Sequence, residues 1–491
     1  MFSLPAQVAI YCVSLLIAWA LSWRLTSHSQ RQVLQLVVSY VLYATWGVWF
    51  VGVLVISSLM NYALGHYLRR RPSSRRLWIA IVLNVALLSL FKYLPLIGPL
   101  VQGSALGAVS RIVMPIGMSF WTFQALSYLL DLYREEEVDP SLTQFCLYMA
   151  FWPTALSGPI CRMPSMLPQL RSAWPPSWNQ LAQGTQRMII GALMITLSQI
   201  LVVGVHPGGG VDDAFALPAK QFGGFDVWIL IIGYGFQLLF NFCGYSHLVI
   251  GAARLFGFEL HENFNRPFLS TSVSEFWTRW HMSLSFWIRD YVFFPLATLR
   301  AEVWWRNLSL VIAMFIFGLW HKGSLLFMIW GTYHGLLLVL HRQWQQLESR
   351  TALRLPANVK TPFAWATTFA GVSLGWIFFR SESLAQAADM LRIAFSPGQF
   401  LHRSLPASFY FLVLTLGVGY FAVVGAARTL DRWVLENEAS PRGAFLGRAL
   451  GMLARERWVW LVPLSTVASL YIFLLLRPKV TAVYPTLYGL F

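Results

Sequence analysis

The sequence predicts an all-α membrane protein whose chain crosses the bilayer many times. Of its 491 residues, 57% are hydrophobic and only 11% are charged. Its mean hydropathy of +0.57 lies far above that of a soluble domain. Apolar runs, most of them about 12 to 18 residues long, recur along the whole chain, and they predict about 11 to 13 transmembrane helices.

The charge of the chain fits a membrane protein better than a nucleic-acid-binding protein. Lysine and arginine give a formal net charge of +16, but they are spread over short loops and form no single patch. Such spreading is typical of the positive-inside bias and of contact with anionic lipid. The 23 tryptophans suit a protein with two membrane interfaces to anchor. We therefore expect the membrane as a partner, and no nucleic acid.

The N-terminal part of the chain predicts closely spaced spans. Residues 8–21 form an apolar run without a preceding basic residue, which favours a retained first span over a removable signal peptide. Residues 33–67 would make a helix of about 50 Å, against about 30 Å of hydrocarbon, so a turn near residues 46–49 is expected. This turn also returns the arginines of residues 69–76 to the cytoplasm. Residues 77–91 predict the next span.

Apolar runs alternate with polar breaks along the rest of the chain. Residues 133–139 carry three glutamates and residues 163–178 carry four prolines, so both predict loops. Residues 206–225 hold two aspartates and one lysine and predict an extracytoplasmic loop, whereas residues 342–360 form a basic loop. The apolar runs that predict the remaining spans are 112–132, 145–156 (short for a full span), 188–205, 227–240, 308–320, 325–340, 364–379, 409–424 and 459–476.

The stretch 265–290 is half polar, although it lies between apolar segments. Ser272 and Glu275 match a capping box, so a helix is expected to begin near Ser272. An apolar stripe follows at helical spacing, with the arginines and His281 off the stripe. Such a helix either lies at the interface or lines a cavity. The alternative is a surface helix in which Glu275 pairs with Arg279. The stripe consists of Phe276, Trp280, Leu284, Trp287 and Tyr291.

His321 is the first candidate for catalysis, because an ionisable side chain at the end of an apolar run usually has a function. Histidine can move a proton near neutral pH and act as a general base. The alternative is an interfacial histidine bonded to a helix-end carbonyl. His334 follows thirteen residues later, far from the same face of one straight helix. The two histidines can converge only if the chain breaks, which Gly323 and Gly331 would allow.

The sequence does not favour metal or thiol chemistry. A metal site from His281, His321 and His334 is formally possible, but no carboxylate or thiol accompanies them at ligand spacing. The four cysteines show neither CxxC nor zinc spacing, and three of them lie in apolar runs. Cys161, which precedes Arg162, is a conceivable acyl-relay thiol that we disfavour. We therefore expect no bound metal.

A series of short motifs carries a family resemblance. In chain order they are Pro115-Ile116-Gly117-Met118-Ser119-Phe120 with Phe123-Gln124, Ser157-Gly158-Pro159-Ile160 with Arg162, Gly244-Tyr245-Ser246, Glu262-Asn263-Phe264-Asn265-Arg266-Pro267, Glu275-Phe276-Trp277 with Arg279-Trp280-His281, Arg289-Asp290-Tyr291, Gly318-Leu319-Trp320-His321, Trp330-Gly331 with His334-Gly335, and Phe378-Phe379-Arg380. Together they resemble the membrane-bound O-acyltransferase family over roughly residues 33–380. The nearest branch acetylates alginate, bacterial cellulose and other exopolysaccharides.

The resemblance implies a ring of tilted helices around a thinned centre, with a tunnel that joins the two faces of the membrane. It implies N-terminal helices in residues 1–110, a catalytic core in 111–380 and C-terminal helices in 381–491. Acetyl-CoA or another acyl thioester would enter from the cytoplasm as a substrate, with no bound cofactor. The acyl group would leave towards an extracytoplasmic polysaccharide or a partner acetyltransferase. Such a protein would lie in the bacterial cytoplasmic (inner) membrane.

The resemblance also implies roles for individual residues. The family's catalytic histidine maps onto His321 and its second histidine onto His334. Because a thioester is already activated, alignment and proton removal suffice, and His334 or a nearby tryptophan could stabilise the oxyanion. Arginines could bind donor phosphates, although pairing with neighbouring acids is the alternative for each. The implied donor- or acceptor-binding residues are Asn265, Arg266, Trp277, Arg279, Trp280, His281, Arg289 and Trp320.

Acceptor specificity stays open at this point. Asn241 and His247 stand where close relatives usually carry acidic residues, which weakens any transfer of acceptor specificity. D-alanyl transfer to teichoic acid would use the same fold and His321, and acyl transfer to a lipid or protein is a further alternative. A non-enzymatic transporter or flippase could use buried histidines to relay protons. Inverted repeats would favour that class, and none is visible in the sequence.

Overall fold

The computed structural model describes residues 4–97, 113–172, 174–204, 209–350 and 356–436. Every regular element in these ranges is helical, which confirms the predicted all-α class. Short 3-10 turns and one π-helical turn, Arg289–Phe293, connect some of the helices. In chain order the α-helices are α1 (Leu4–Ser22), α2 (His28–Ala44), α3 (Val48–Arg70), α4 (Ser74–Ile97), α5 (Met118–Tyr133), α6 (Leu142–Ala150), α7 (Met163–Ser172), α8 (Trp178–Val203), α9 (Val211–Ala216), α10 (Gly224–Leu255), α11 (Val273–Trp277), α12 (Met282–Ile288), α13 (Phe294–Ala297), α14 (Val303–Lys322), α15 (Leu325–Arg350), α16 (Ala357–Arg380), α17 (Leu384–Ala394) and α18 (Ala407–Glu436).

Within the described ranges, eight helices are long and apolar enough to cross a membrane, namely α3, α4, α8, α10, α14, α15, α16 and α18. Helix α1 adds a shorter apolar stretch, Ala9–Ser22. These helices confirm a polytopic membrane protein. The predicted span at residues 459–476 lies outside the described residues, so the expected 11 to 13 spans stay a prediction. The ring around a central tunnel likewise stays a prediction.

The predicted turn near residues 46–49 is confirmed. Helix α2 ends at Ala44 and α3 begins at Val48, so two helices replace one that would exceed the hydrocarbon thickness. The prediction of a loop over residues 163–178 is wrong in part, because α7 occupies its first ten positions. Pro164 lies in the first helical turn, where a missing N–H does no harm, and buried side chains such as Leu167 and Leu170 stabilise the helix around Pro168.

The half-polar stretch is not the single helix that its apolar spacing predicts. Ser272 caps α11 as expected, with its hydroxyl accepting from the Glu275 backbone N–H at 3.0 Å. The helix then stops, and His281 adopts a left-handed conformation with φ of +43°. The cause is a competing backbone partner, because Met282 N–H donates to the Asn263 carbonyl at 2.8 Å. The Asn263 side chain also accepts from the Ser283 hydroxyl at 2.6 Å. The five stripe residues are nevertheless all buried.

The chain divides into two compact units by its internal contacts. One comprises residues 1–185 with 249–262, and the other comprises residues 186–248 with 263–491. Both histidines of interest lie in the second unit. The domain limits implied by the resemblance, at residues 110 and 380, stay a prediction.

Helices α14 and α15 form a tightly packed hairpin in the second unit. A Cβ on Gly318 would lie 2.1 Å from the carbonyl oxygen of Phe327, and a Cβ on Gly331 would lie 2.1 Å from that of Met314. Only glycine permits such an approach of two helix backbones in a membrane. This crossing fixes the distances between the side chains that α14 and α15 place next to it.

Candidate active site

His321 lies at the end of α14, where the sequence predicts it. The helix ends at Gly323, whose φ of +66° is the left-handed conformation that glycine adopts readily. Its N–H donates to the Leu319 carbonyl at 3.0 Å. His321 itself is only 4% exposed. The turn therefore holds an imidazole inside the protein at the end of an apolar helix.

One indole ring connects the two candidate histidines. The ring centroid of Trp330 lies 5.3 Å from that of His321 and 5.1 Å from that of His334. The expected chain break is confirmed and lies at Gly323, whereas α15 runs through Gly331 without interruption. Gly331 acts instead by allowing the close crossing of α14 and α15. The hairpin, with a single turn, therefore brings both imidazoles to one cluster.

Three buried polar side chains in this cluster have nitrogen atoms with no hydrogen-bond partner among the described residues. They are both ring nitrogens of His334 and the indole nitrogens of Trp277 and Trp330. His334 is fully buried, and the Trp277 ring lies 5.2 Å from it. An unsatisfied buried donor or acceptor costs about 1–3 kcal/mol, so a group of three is unusual in a folded protein. Polar atoms of a bound substrate would satisfy them.

Aromatic rings enclose His321 on several sides. Phe317 and Phe379 lie 5.0 Å and 5.4 Å from its ring, and Trp320 lies 4.8 Å from it. Helix α16 contributes Phe379 and, one turn earlier, Gly375. A Cβ on Gly375 would lie 2.6 Å from the Nε2 atom of His334, so this glycine leaves room for the second imidazole.

A side cavity of about 210 Å³ adjoins the cluster. Trp277 and Phe317 line it where it approaches the two histidines. Arg342 lines it at the other end of the helix hairpin and donates to the Asn307 side chain at 3.2 Å. Arg289 lines it as well, and the rest of the wall is mainly apolar. This cavity is defined by Trp277, Phe286, Arg289, Met314, Phe317, Leu338 and Arg342 among others.

The predicted substrate-binding residues fall into four groups. Trp277 and Trp320 join the histidine cluster, and Arg289 lines the side cavity. Trp280 and His281 belong to a neighbouring aromatic cluster, in which His281 lies 4.6 Å from Phe242. Burial lowers the pKa of His281 to about 3, so this ring is neutral and offers no charge to a phosphate. Asn265, Arg266 and Arg279 lie in the connecting turns before α12.

The arginines make the local ion pairs that the alternative interpretation expected. Arg279 pairs with Glu275 and Arg289 with Asp290. Arg289 also lies 4.6 Å over the ring of Phe286. The predicted contact of these arginines with the acyl donor stays a prediction. The Arg289 side chain is 47% exposed, so its ion pair leaves part of the guanidinium accessible to a ligand.

The structure weakens the case for a thiol relay. Cys161 is 3% exposed, and its Sγ donates to the Pro159 carbonyl at 3.5 Å. Burial raises the pKa of this thiol to about 12, which disfavours the thiolate that an acyl relay requires. Among the described residues, no three His, Cys, Asp or Glu side chains are grouped so that they could hold a metal ion.

Four residues that shape the site are not predicted as site residues from the sequence, namely Phe317, Trp330, Gly375 and Phe379. Trp330 and Phe379 lie in motifs that carry the family resemblance, but nothing in their spacing sets them apart from the other aromatic residues. Gly375 lies inside an apolar helix and looks like an ordinary small residue. Only the packing of α16 against the hairpin gives it a role.

The family assignment follows from comparison with known proteins. Residues 7–380 match the membrane-bound O-acyltransferase family. The chain belongs to this family. It is therefore an O-acyltransferase, with its buried histidine cluster inside the matched region. The family membership therefore counts against the non-enzyme alternative, a transporter or flippase.

Several known proteins are similar to this chain. A probable alginate O-acetylase of Azotobacter vinelandii is 32% identical over 413 residues, which cover 80% of this chain and 79% of the relative. A peptidoglycan O-acetyltransferase of Helicobacter pylori is 28% identical, with 71% of each chain covered. A teichoic acid D-alanyltransferase of Streptococcus thermophilus is 30% identical, but only 51% of this chain and 62% of the relative are covered.

Proposed function

We propose that this O-acyltransferase takes an acetyl group from a cytoplasmic thioester and moves it across a bacterial cytoplasmic membrane for O-acetylation of an extracytoplasmic polysaccharide. The observation that carries the proposal is the buried His321–Trp330–His334 cluster, with the unsatisfied nitrogen atoms of Trp330 and His334. Acetyl-CoA is the simplest donor of this chemistry. The acceptor is the polymer itself or a partner acetyltransferase that completes the transfer.

The cluster supplies what attack on a thioester needs. His321 takes the proton of an acceptor hydroxyl, and the hydroxyl oxygen bonds to the carbonyl carbon. The indole N–H groups of Trp277 and Trp330, or His334, donate to the oxyanion of the tetrahedral intermediate. When the intermediate collapses, the C–S bond breaks and the thiolate recovers the proton from His321. No other reactant is required.

Polysaccharide acetylation is favoured over D-alanyl transfer by the extent of similarity. The two acetylating relatives align over more than two thirds of both chains, whereas the D-alanyltransferase aligns over about half of this chain. An exopolysaccharide such as alginate or cellulose is therefore the acceptor class that we propose first. D-alanine esters on teichoic acid would be the finding that favours the second class.

The test is the variant His321→Ala, produced in a host strain that lacks the native gene. We expect the protein to insert normally but the envelope polymer to lose its acetyl esters, because the variant lacks the general base that takes the proton of the acceptor hydroxyl. The measurement is acetate released from the isolated polymer by mild alkali. The matched control is His341→Ala, which changes a histidine two turns beyond His334 on the same helix. Normal acetylation by His321→Ala would refute the mechanism.

A further inference from the structure

The side cavity approaches the two histidines but is separated from them by one layer of rings. Trp277 and Phe317 contact each other at 5.3 Å, with their ring planes 72° apart. Behind them, Trp277 contacts His334 and Phe317 contacts His321, at 5.2 Å and 5.0 Å. An acyl group in this cavity would therefore meet the Trp277–Phe317 pair before it reaches either imidazole.

The other end of the cavity carries positive charge. Arg342 lies eight residues beyond His334 on α15, a distance of about 12 Å along the helix axis. Arg289 lines the cavity from the neighbouring segment and stays partly exposed. Between Arg342 and the aromatic pair, the wall is formed by side chains such as Met314 and Leu338. A cationic end, an apolar body and a closed inner end fit a thioester with an anionic head.

The volume of the cavity limits the length of the acyl chain that it can hold. A cavity of about 150 Å³ in another protein holds one benzene molecule. The 210 Å³ available here is only moderately larger, which suits a short acyl group better than a long fatty acyl chain. Each methylene that an apolar pocket cannot accommodate changes the rate about 10- to 200-fold.

We infer that the Trp277–Phe317 pair selects short acyl groups, and that Phe317 is a specificity-determining residue for the acyl donor. The inference rests on the proposed function, since it assigns the cavity to the thioester of that reaction. Phe317 contributes the removable part of the inner wall, because its ring lies against both Trp277 and His321. Without this ring the cavity extends towards the imidazoles and accommodates additional methylenes.

The experiment compares Phe317→Ala with wild type in membrane vesicles from polymer-producing cells. The vesicles receive radiolabelled acetyl-, butyryl- or octanoyl-CoA, and the label in alkali-labile esters of the polymer is measured. We expect the butyryl-to-acetyl ratio to rise by at least about tenfold in Phe317→Ala. The matched control is Phe315→Ala, which removes a 38% exposed ring of the same helix that does not line the cavity and should leave the ratio unchanged.

The outcomes separate this inference from the proposed function. An unchanged ratio in Phe317→Ala, with incorporation that still depends on His321, overturns the inference and leaves the proposed function standing. Octanoyl transfer by wild type as fast as acetyl transfer also overturns it. If wild-type vesicles show no His321-dependent incorporation from any of the three donors, both the inference and the proposed function are overturned. If Phe317→Ala does not accumulate in the membrane, Phe317→Leu replaces it, because this change removes less volume. A butyryl-to-acetyl ratio in Phe317→Leu equal to that of wild type would then overturn the inference.

Discussion

At the scale of single residues, Gly375 decides where the imidazole of His334 can lie. A methyl group at this position would come within 2.6 Å of His334 Nε2, which forces the ring to move. We expect Gly375→Ala to lower acyl transfer at least about tenfold while the protein still folds, because a small misplacement of a catalytic group is costly. Polymer acetyl content and protein level in membranes measure the two effects.

Gly371→Ala is the matched control for that change, one turn earlier on α16. A methyl group there would lie 3.7 Å from the Leu337 side chain, an ordinary contact. Equal acetylation by the two variants would mean that the position of His334 does not matter for transfer. A loss of protein in both would instead indicate a general intolerance of α16 to added volume.

The sequence identifies His321 because a histidine at the end of an apolar helix is conspicuous without any structure. The roles of Trp330 and Gly375 cannot be predicted from the sequence in this way, for a physical reason. Their importance depends on contacts between α14, α15 and α16, and one tryptophan among 23, or one glycine among 35, has no local signal for such a contact. Residue types with rare chemistry are predictable, whereas residues that only shape a site are not.

At the scale of helices, the crossing of α14 and α15 depends on Gly331. A methyl group there would meet a backbone carbonyl at 2.1 Å, and a backbone cannot rotate out of the way as a side chain can. We expect Gly331→Ala to destabilise the protein by roughly 1–3 kcal/mol and to reduce transfer, because the hairpin must separate. The midpoint of thermal unfolding in detergent measures the first effect.

The control for Gly331→Ala is Gly419→Ala on α18, where no atom lies within 4 Å of the added methyl group. Alanine is intrinsically the better helix former, so this variant should melt at or above the wild-type temperature. The opposite signs of the two shifts distinguish a steric effect from helix propensity. Indistinguishable midpoints would contradict the assigned role of Gly331.

Helix ends marked by local signals are predicted well from the sequence, and those imposed from elsewhere are not. The turn between α2 and α3 and the end of α14 at Gly323 are both encoded where they occur. The helix expected to continue from Ser272 to Tyr291 stops because Asn263, several residues upstream, bonds to Met282 and Ser283. Its spacing correctly predicts burial but not continuity, since a buried turn can present the same side chains as a helix.

At the scale of the whole molecule, the proposed function requires a fixed orientation in the membrane. In the second unit, Asp212 from the predicted extracytoplasmic loop pairs with Arg380 at the end of α16, at 3.1 Å. Phe379, next to Arg380, contacts His321. His321 therefore lies towards the end of the hairpin nearest to that loop, and Arg342 lies towards the opposite, basic end. The positive-inside rule assigns the basic end to the cytoplasm, where thioesters are made.

Single cysteines at Lys220 and Ser349, both exposed positions, test this orientation in a background without the native cysteines. We expect Lys220→Cys to react with a membrane-impermeant maleimide in intact spheroplasts, and Ser349→Cys to react only after lysis. Ser349 lies seven residues beyond Arg342 on α15, about 10 Å along the axis, so it reports on the cationic end of the side cavity. The reverse labelling pattern would mean that the cavity opens to the outside of the cell. A cytoplasmic thioester could then not be its ligand.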